Sequence, residues 1–153
     1  MATSEIRAKP ITEAAFTITL AGLGNATSRQ STMVTNSNNY PSALVSVRCQ
    51  SGTNAPTVGT VYEVYLLRKT GALADDAAGA SDAAITIENA PLLGTIVVTA
   101  TADKDFIGIF DTGPLGPLGP TWGIAVKNSS GQVMHSATST SCAYYTYIVP
   151  EAQ

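Results

Sequence analysis

After about residue 15 the chain alternates short runs rich in β-branched residues with clusters of Gly, Asn, Ser and Pro. No segment of the 153 residues carries the apolar stripe of a long helix. Such punctuation is the signature of an all-β domain. The candidate strands cover residues 15–23, 29–36, 42–50, 59–69, 93–100, 105–111, 121–128 and 142–150. About eight antiparallel strands fit two Greek-key sheets, a jelly-roll-type β-sandwich, with an immunoglobulin-like sandwich as the alternative.

Period-2 alternation sorts the faces. Val45, Val47 and Cys49 share one side of their strand, while Leu44, Ser46 and Arg48 share the other. Val61, Glu63, Tyr65 and Leu67 oppose Tyr62, Val64, Leu66 and Arg68, so both faces of that strand are partly apolar. Trp122, Ile124 and Val126 oppose Gly123, Ala125 and Lys127. Strands apolar on both sides require a sheet covered on its second face, by a loop or by a neighbouring subunit. Residues 72–84 hold helix-forming Ala, but also Asp pairs and Gly79 without a stripe, and are expected to be a surface loop. Residues 1–14 show no strand alternation and contain Pro10, so they are expected to form an extended N-terminal arm ahead of a domain spanning 15–153.

Residues 113–123, Gly-Pro-Leu-Gly-Pro-Leu-Gly-Pro-Thr-Trp-Gly, have the spacing of collagen. Three Gly-Pro steps are too few for a triple helix, which needs long stretches at higher imino content. Proline removes a ladder donor and fixes φ, so the segment is expected to be an ordered, polyproline-like loop between two strands. It would carry Leu115 and Leu118 outward, where its own core or another chain must cover them.

Only 12% of residues are charged, about half the usual fraction, while 44% are hydrophobic and 7% aromatic. A surface built from Ser, Thr, Asn, Gly and Ala relies little on charge repulsion and suits a protein held in an assembly. The net charge of −3 argues against a general nucleic-acid binder. No apolar run approaches the length that spans a bilayer, so no membrane partner is expected. The first sixteen residues lack the apolar stretch of a signal peptide, which predicts a chain that stays in the cytosol where it is made. Cys49 and Cys142 are accordingly expected to be reduced, buried and inert.

Chemistry is sparse. His135 is the only histidine; Ser136 or Ser139 and Asp111 could complete a triad in name, but no nucleophile motif accompanies them. One His and two distant Cys do not make a zinc site. The acidic run at residues 75–82 lacks the alternating ligands of a calcium loop, and its carboxylates are expected to be solvated. Trp122 with Tyr144, Tyr145 and Tyr147 suggests a sugar platform, although alternation splits the tyrosines between faces. Neither catalysis nor a cofactor is expected.

The stretches "RQSTMVTNSNNYPSALVSVRCQSGT", "LLGTIVV" and "TWGIAVKNSSGQ", with a Tyr-rich closing strand, resemble the jelly-roll head decoration, or cement, proteins of tailed bacteriophages. The resemblance covers roughly residues 16–149, and "VYLLRKTG" and the GPLGPLGP loop depart from the family's pattern. It implies a virion structural protein on the outer capsid surface, assembled in the host cytoplasm. Such a protein forms a homo-oligomer, usually a trimer, over junctions between major capsid protein capsomers and clamps them. It implies an arm contacting the capsid through Ile6, Arg7, Lys9, Pro10 and Ile11. The expected oligomer interface comprises Leu115, Leu118, Trp122, Tyr145 and Tyr147. A phage tail or fibre module binding a host glycan is the alternative reading.

Overall fold

The computed structural model describes residues 6–137 and 142–152. Among the described residues there are twelve strands: β1 (Ile6–Pro10), β2 (Ala14–Phe16), β3 (Ser28–Gln30), β4 (Val34–Thr35), β5 (Ser42–Gln50) and β6 (Val61–Thr70), followed by β7 (Leu73–Ala74), β8 (Ala83–Ile85), β9 (Leu92–Val97), β10 (Asp105–Asp111), β11 (Thr121–Ser129) and β12 (Ala143–Ala152). They form two antiparallel sheets. Sheet A holds β1, β2, β12, β5 and β10; sheet B holds β7, β9, β6, β11, β3, β4 and β8.

Several short strands are broken halves of longer ones. β1 and β2 both lie along the edge of β12 opposite β5, pairing with residues 148–152 and 143–145. β3 and β4 likewise share one edge of β11. Counting each broken pair as one strand, and setting aside the short β7 and β8, leaves eight. The first of these pairs with the eighth, the second with the seventh, β5 with β10, and β6 with β9. Such nested pairing, split alternately between two sheets, is the jelly roll. The sandwich expected from alternation is therefore present, and in the jelly-roll connection.

Between the sheets lies one core. Sheet A contributes Val45, Val47, Cys49, Phe106 and Tyr147; sheet B contributes Tyr62, Val64, Leu66, Trp122, Ile124 and Val126. Phe16, Ile18 and Leu20 are all buried, so the alternation expected for residues 15–23 holds. Only residues 14–16 of that stretch form a ladder, however. Thr17 and Thr19 turn to loop partners instead, with the Thr17 carbonyl accepting from Thr32 N–H and Thr19 bonding Asp82. The corner between β9 and β10 depends on two glycines. A Cβ at Gly94 or Gly108 would overlap the Phe110 ring, which lies across both.

The outer face of sheet B is covered by the chain itself. Residues 71–91 fold back so that Ala77, Ile85, Ile87 and Ala90 pack on Leu67, Tyr65, Met33 and Ala125. This resolves the two-sided apolar strands in favour of a loop. Its carboxylates, expected to be merely solvated, are partly buried and fasten it. Asp76 accepts from the N–H groups of Glu88, Asn89 and Ala90 at 2.7–3.0 Å. Asp82 bonds Arg29 and Thr19, and Asp75 lies 3.6 Å from Arg68. Beneath the loop the buried Gln30 side chain donates to the carbonyls of Gly79 and Ser81 and accepts from Ala78 N–H.

The N-terminal arm requires correction. Residues 6–10 are the edge strand β1, and the boundary at 14/15 falls inside β2. Pro10 is tolerated because an edge strand needs donors on one side only. The Ile11 N–H donates to the Tyr147 carbonyl at 2.8 Å and its side chain packs against the core. Residues 1–5 lie outside the described part.

Candidate functional site

The residues expected at an oligomer interface divide sharply. Trp122 and Leu118 are fully buried, and Tyr147 is 9% exposed. Trp122 Nε1 donates to the Tyr147 hydroxyl at 3.0 Å, across the two sheets. Its ring meets Phe16 and Tyr145 edge-on, with centroids 5.2 Å apart in each case. These aromatics are the centre of the protomer's core, so a neighbouring chain cannot reach Trp122, Leu118 or Tyr147 without unfolding it. Tyr145 and Leu115 are half-buried and pack against the same core. The glycan platform fails for the same reason: its tryptophan is inside.

The Gly-Pro segment explains part of that error. Instead of a polyproline-like loop, residues Gly113–Leu115 form a 3₁₀ turn, begun where Asp111 Oδ1 accepts from Gly113 N–H at 2.8 Å. Positive φ at Gly116 and Gly119 (88° and 76°) then turns the chain back on itself. Leu118 therefore points into the core, its N–H bonded to the Pro41 carbonyl. The loop folds over its own sandwich, and Arg68 Nη1 ties it down by donating to the Leu115 carbonyl.

Of the expected capsid-binding residues, Lys9 and Pro10 are exposed and Ile11 is half-buried against the core. The side chains of Ile6 and Arg7 lie outside the described ones.

His135 sits beside a cleft of about 170 Å³ lined by Gly52, Thr53, Asn54, Val133, Met134 and Ser136. Its Nε2 is 3.5 Å from Asp103 Oδ1, and its Nδ1 accepts from Ala137 N–H. Asp111 is engaged in the Gly-Pro turn, so the acid beside His135 is Asp103. Ser139 lies outside the described residues. Cys49 and Cys142 are both buried free thiols. Burial pushes the Cys142 thiol up to about 11 and Cys49 higher still, so neither is a thiolate at neutral pH. Among the described residues no three His, Cys, Asp or Glu side chains are grouped to hold a metal ion.

Among the described residues, the outer face of sheet A carries a cluster of exposed aliphatic side chains. Ile107 and Ile109 on β10 are 66% and 67% exposed, and Leu44 on β5 is 39% exposed. The register places Ile107 beside Arg48, Ile109 beside Ser46, and Leu44 beside Thr146. Sequence alternation had set Leu44, Ser46 and Arg48 on one face. It did not show that this face would stay uncovered while sheet B acquired a loop. No protein-family model matches the chain, and neither a curated protein nor a solved structure gives a significant match.

Proposed function

We propose that this chain is a bacteriophage head decoration protein, which binds the outer surface of the capsid where major capsid protein subunits meet and stabilises the shell. One observation carries the proposal: the protomer's own loop packs over β6 and β11 on the outer face of sheet B, whereas Leu44, Ile107 and Ile109 stand exposed together on the outer face of sheet A. A sandwich covered on one side and bare on the other is built to lie against something. The jelly-roll connection supports the reading, because it is an architecture of viral capsid domains. The low charge of the chain supports it too, since such a surface suits permanent packing better than free diffusion.

In this reading sheet A is the capsid-facing side and β1, at its far edge, lies where Lys9 can reach a second capsid subunit. The clamp would then be a rigid face rather than a flexible arm. The resemblance implies three copies, but attachment to the shell does not depend on that number.

The experiment adds purified chain to heads assembled without it and measures occupancy and the temperature at which DNA escapes. Saturable binding with a raised escape temperature is expected, and Leu44→Glu should weaken it at least about tenfold. Binding to tails or host surface glycans, with none to heads, overturns the proposal.

A further inference from the structure

We infer that β10 is a self-pairing edge: two copies of this chain join their β10 strands antiparallel about a two-fold axis at Gly108, fusing two A sheets into one. β10 ends the strand order of sheet A, with β5 on one side and, among the described residues, no strand paired to the other. Its sequence, Asp105-Phe106-Ile107-Gly108-Ile109-Phe110-Asp111, is the same in both directions. A strand meeting a foreign partner has no use for such symmetry. Meeting itself antiparallel, it sets every residue opposite its own mirror position.

The backbone register agrees. Thr112 N–H donates to the Ala43 carbonyl, and Ser51 N–H donates to the Lys104 carbonyl. Residues of β10 in phase with Lys104 and Thr112 therefore bond β5, and the residues between them point N–H and C=O outward. Those outward residues are Asp105, Ile107, Ile109 and Asp111. Centring on Gly108 puts Ile107 opposite Ile109 of the second copy and Asp105 opposite Asp111. All four facing pairs are then of the hydrogen-bonded kind, and each exchanges two bonds, about eight in all. That approaches the roughly ten of a standard protein interface. Gly108 meets its counterpart in a non-hydrogen-bonded pair, where Cα atoms approach to about 4.5 Å and a missing side chain helps.

Side chains favour the same register. Ile107 and Ile109 of both copies would form a continuous outer strip, and cross-strand β-branched pairs are stabilising. Sliding the pairing by one hydrogen-bonded step sets an aspartate against an isoleucine. Centred, the aspartates meet only at the ends, where water reaches them; one is beside Arg48 at 3.7 Å, the other bonded to Gly113 N–H. Facing like charges oppose the junction, so it is weak and concentration dependent. A two-fold junction closes at two copies, unlike the trimer implied by the family resemblance.

Sedimentation of the full chain, free of any capsid, tests the inference and leaves the capsid proposal separately decidable. A monomer–dimer equilibrium is expected over micromolar to millimolar concentration. Ile109→Pro removes an N–H that the protomer does not use, so it should weaken dimerisation at least about tenfold with little change in melting temperature. Should the proline variant fail to fold, Ile109→Ser should still weaken the dimer several-fold. Asp111→Asn keeps the turn acceptor, removes the facing charge and should tighten the dimer. A monomer at every concentration, a three-fold species, or a dimer indifferent to Ile109→Pro and Ile109→Ser overturns the inference.

Discussion

Trp122 shows how one residue's role depends on which side of a sheet is inside. Alternation correctly grouped it with Ile124 and Val126, but periodicity gives two faces without saying which is buried. Trp122 was expected at an oligomer interface; instead it lies in the same buried core as Leu118, which sits in a loop that two positive-φ glycines turn back on itself. Trp122→Ala should therefore cost about 4 kcal/mol of stability, measured by denaturant unfolding, as for other large core truncations. A surface or interface tryptophan would lose far less. Tyr62 makes the opposite prediction. Its buried hydroxyl makes no well-formed hydrogen bond, and burial pushes its ionisation above the ordinary tyrosine range although the nearby Ser130 side chain acts in the opposite sense. Tyr62→Phe should leave stability unchanged or raise it by up to about 1 kcal/mol, because an unsatisfied buried polar group is itself a cost. A clear loss of stability would show that the hydroxyl has a partner.

At the scale of elements, the strands with strong alternation were legible: β5, β10 and β11 begin and end within a residue of their expected limits. β1 was not, because five residues containing Pro10, Arg7 and Lys9 carry no pattern of their own and become a strand only along β12, distant in sequence. Truncation tests the difference. Removing residues 1–10 should leave the sandwich folded. Removing residues 1–14 also takes Ile11 from the core and the start of β2, and should lower the melting temperature further, by roughly 6 °C for about 2 kcal/mol. Equal melting temperatures for the two truncations would contradict the pairing of β2. The loop over sheet B was legible as a loop, but not as a lid, since its anchors act through tertiary contacts. Burial raises the Asp82 carboxyl, yet hydrogen bonds from Arg29 and Thr19 outweigh it and hold the group below the usual carboxylate range. A depressed folded-state value means its contribution is present above the unfolded value of about 4 and lost as pH falls through the folded one. The protection factor of the Ala78 amide, whose N–H is held by Gln30, should therefore fall on acidification below about pH 4, and Asp82→Ala should produce the same fall at pH 7. Unchanged protection in both conditions would show that Asp82 does not hold the loop.

For the whole molecule, the nested strand pairing and the asymmetry of its two outer faces belong together. The connection brings β10 to one edge of sheet A and β1 to the other, and the face between them leaves Leu44, Ile107 and Ile109 exposed among the described residues. Sequence reading reached the sandwich through alternation, and composition and resemblance led it to expect an assembly role. It did not place the contact surface proposed above, which depends on where residues 71–91 pack. Those residues pack over β6 and β11 of sheet B, and the exposed cluster of Leu44, Ile107 and Ile109 belongs to sheet A. The most direct measurement is a density map of the phage head at a resolution that traces strands. The proposed function predicts this jelly roll on the outer surface at junctions between capsomers, with Leu44 of sheet A turned toward the major capsid protein. Density for the chain only on the tail, or on the head with the loop-covered face of sheet B against the shell, would contradict it.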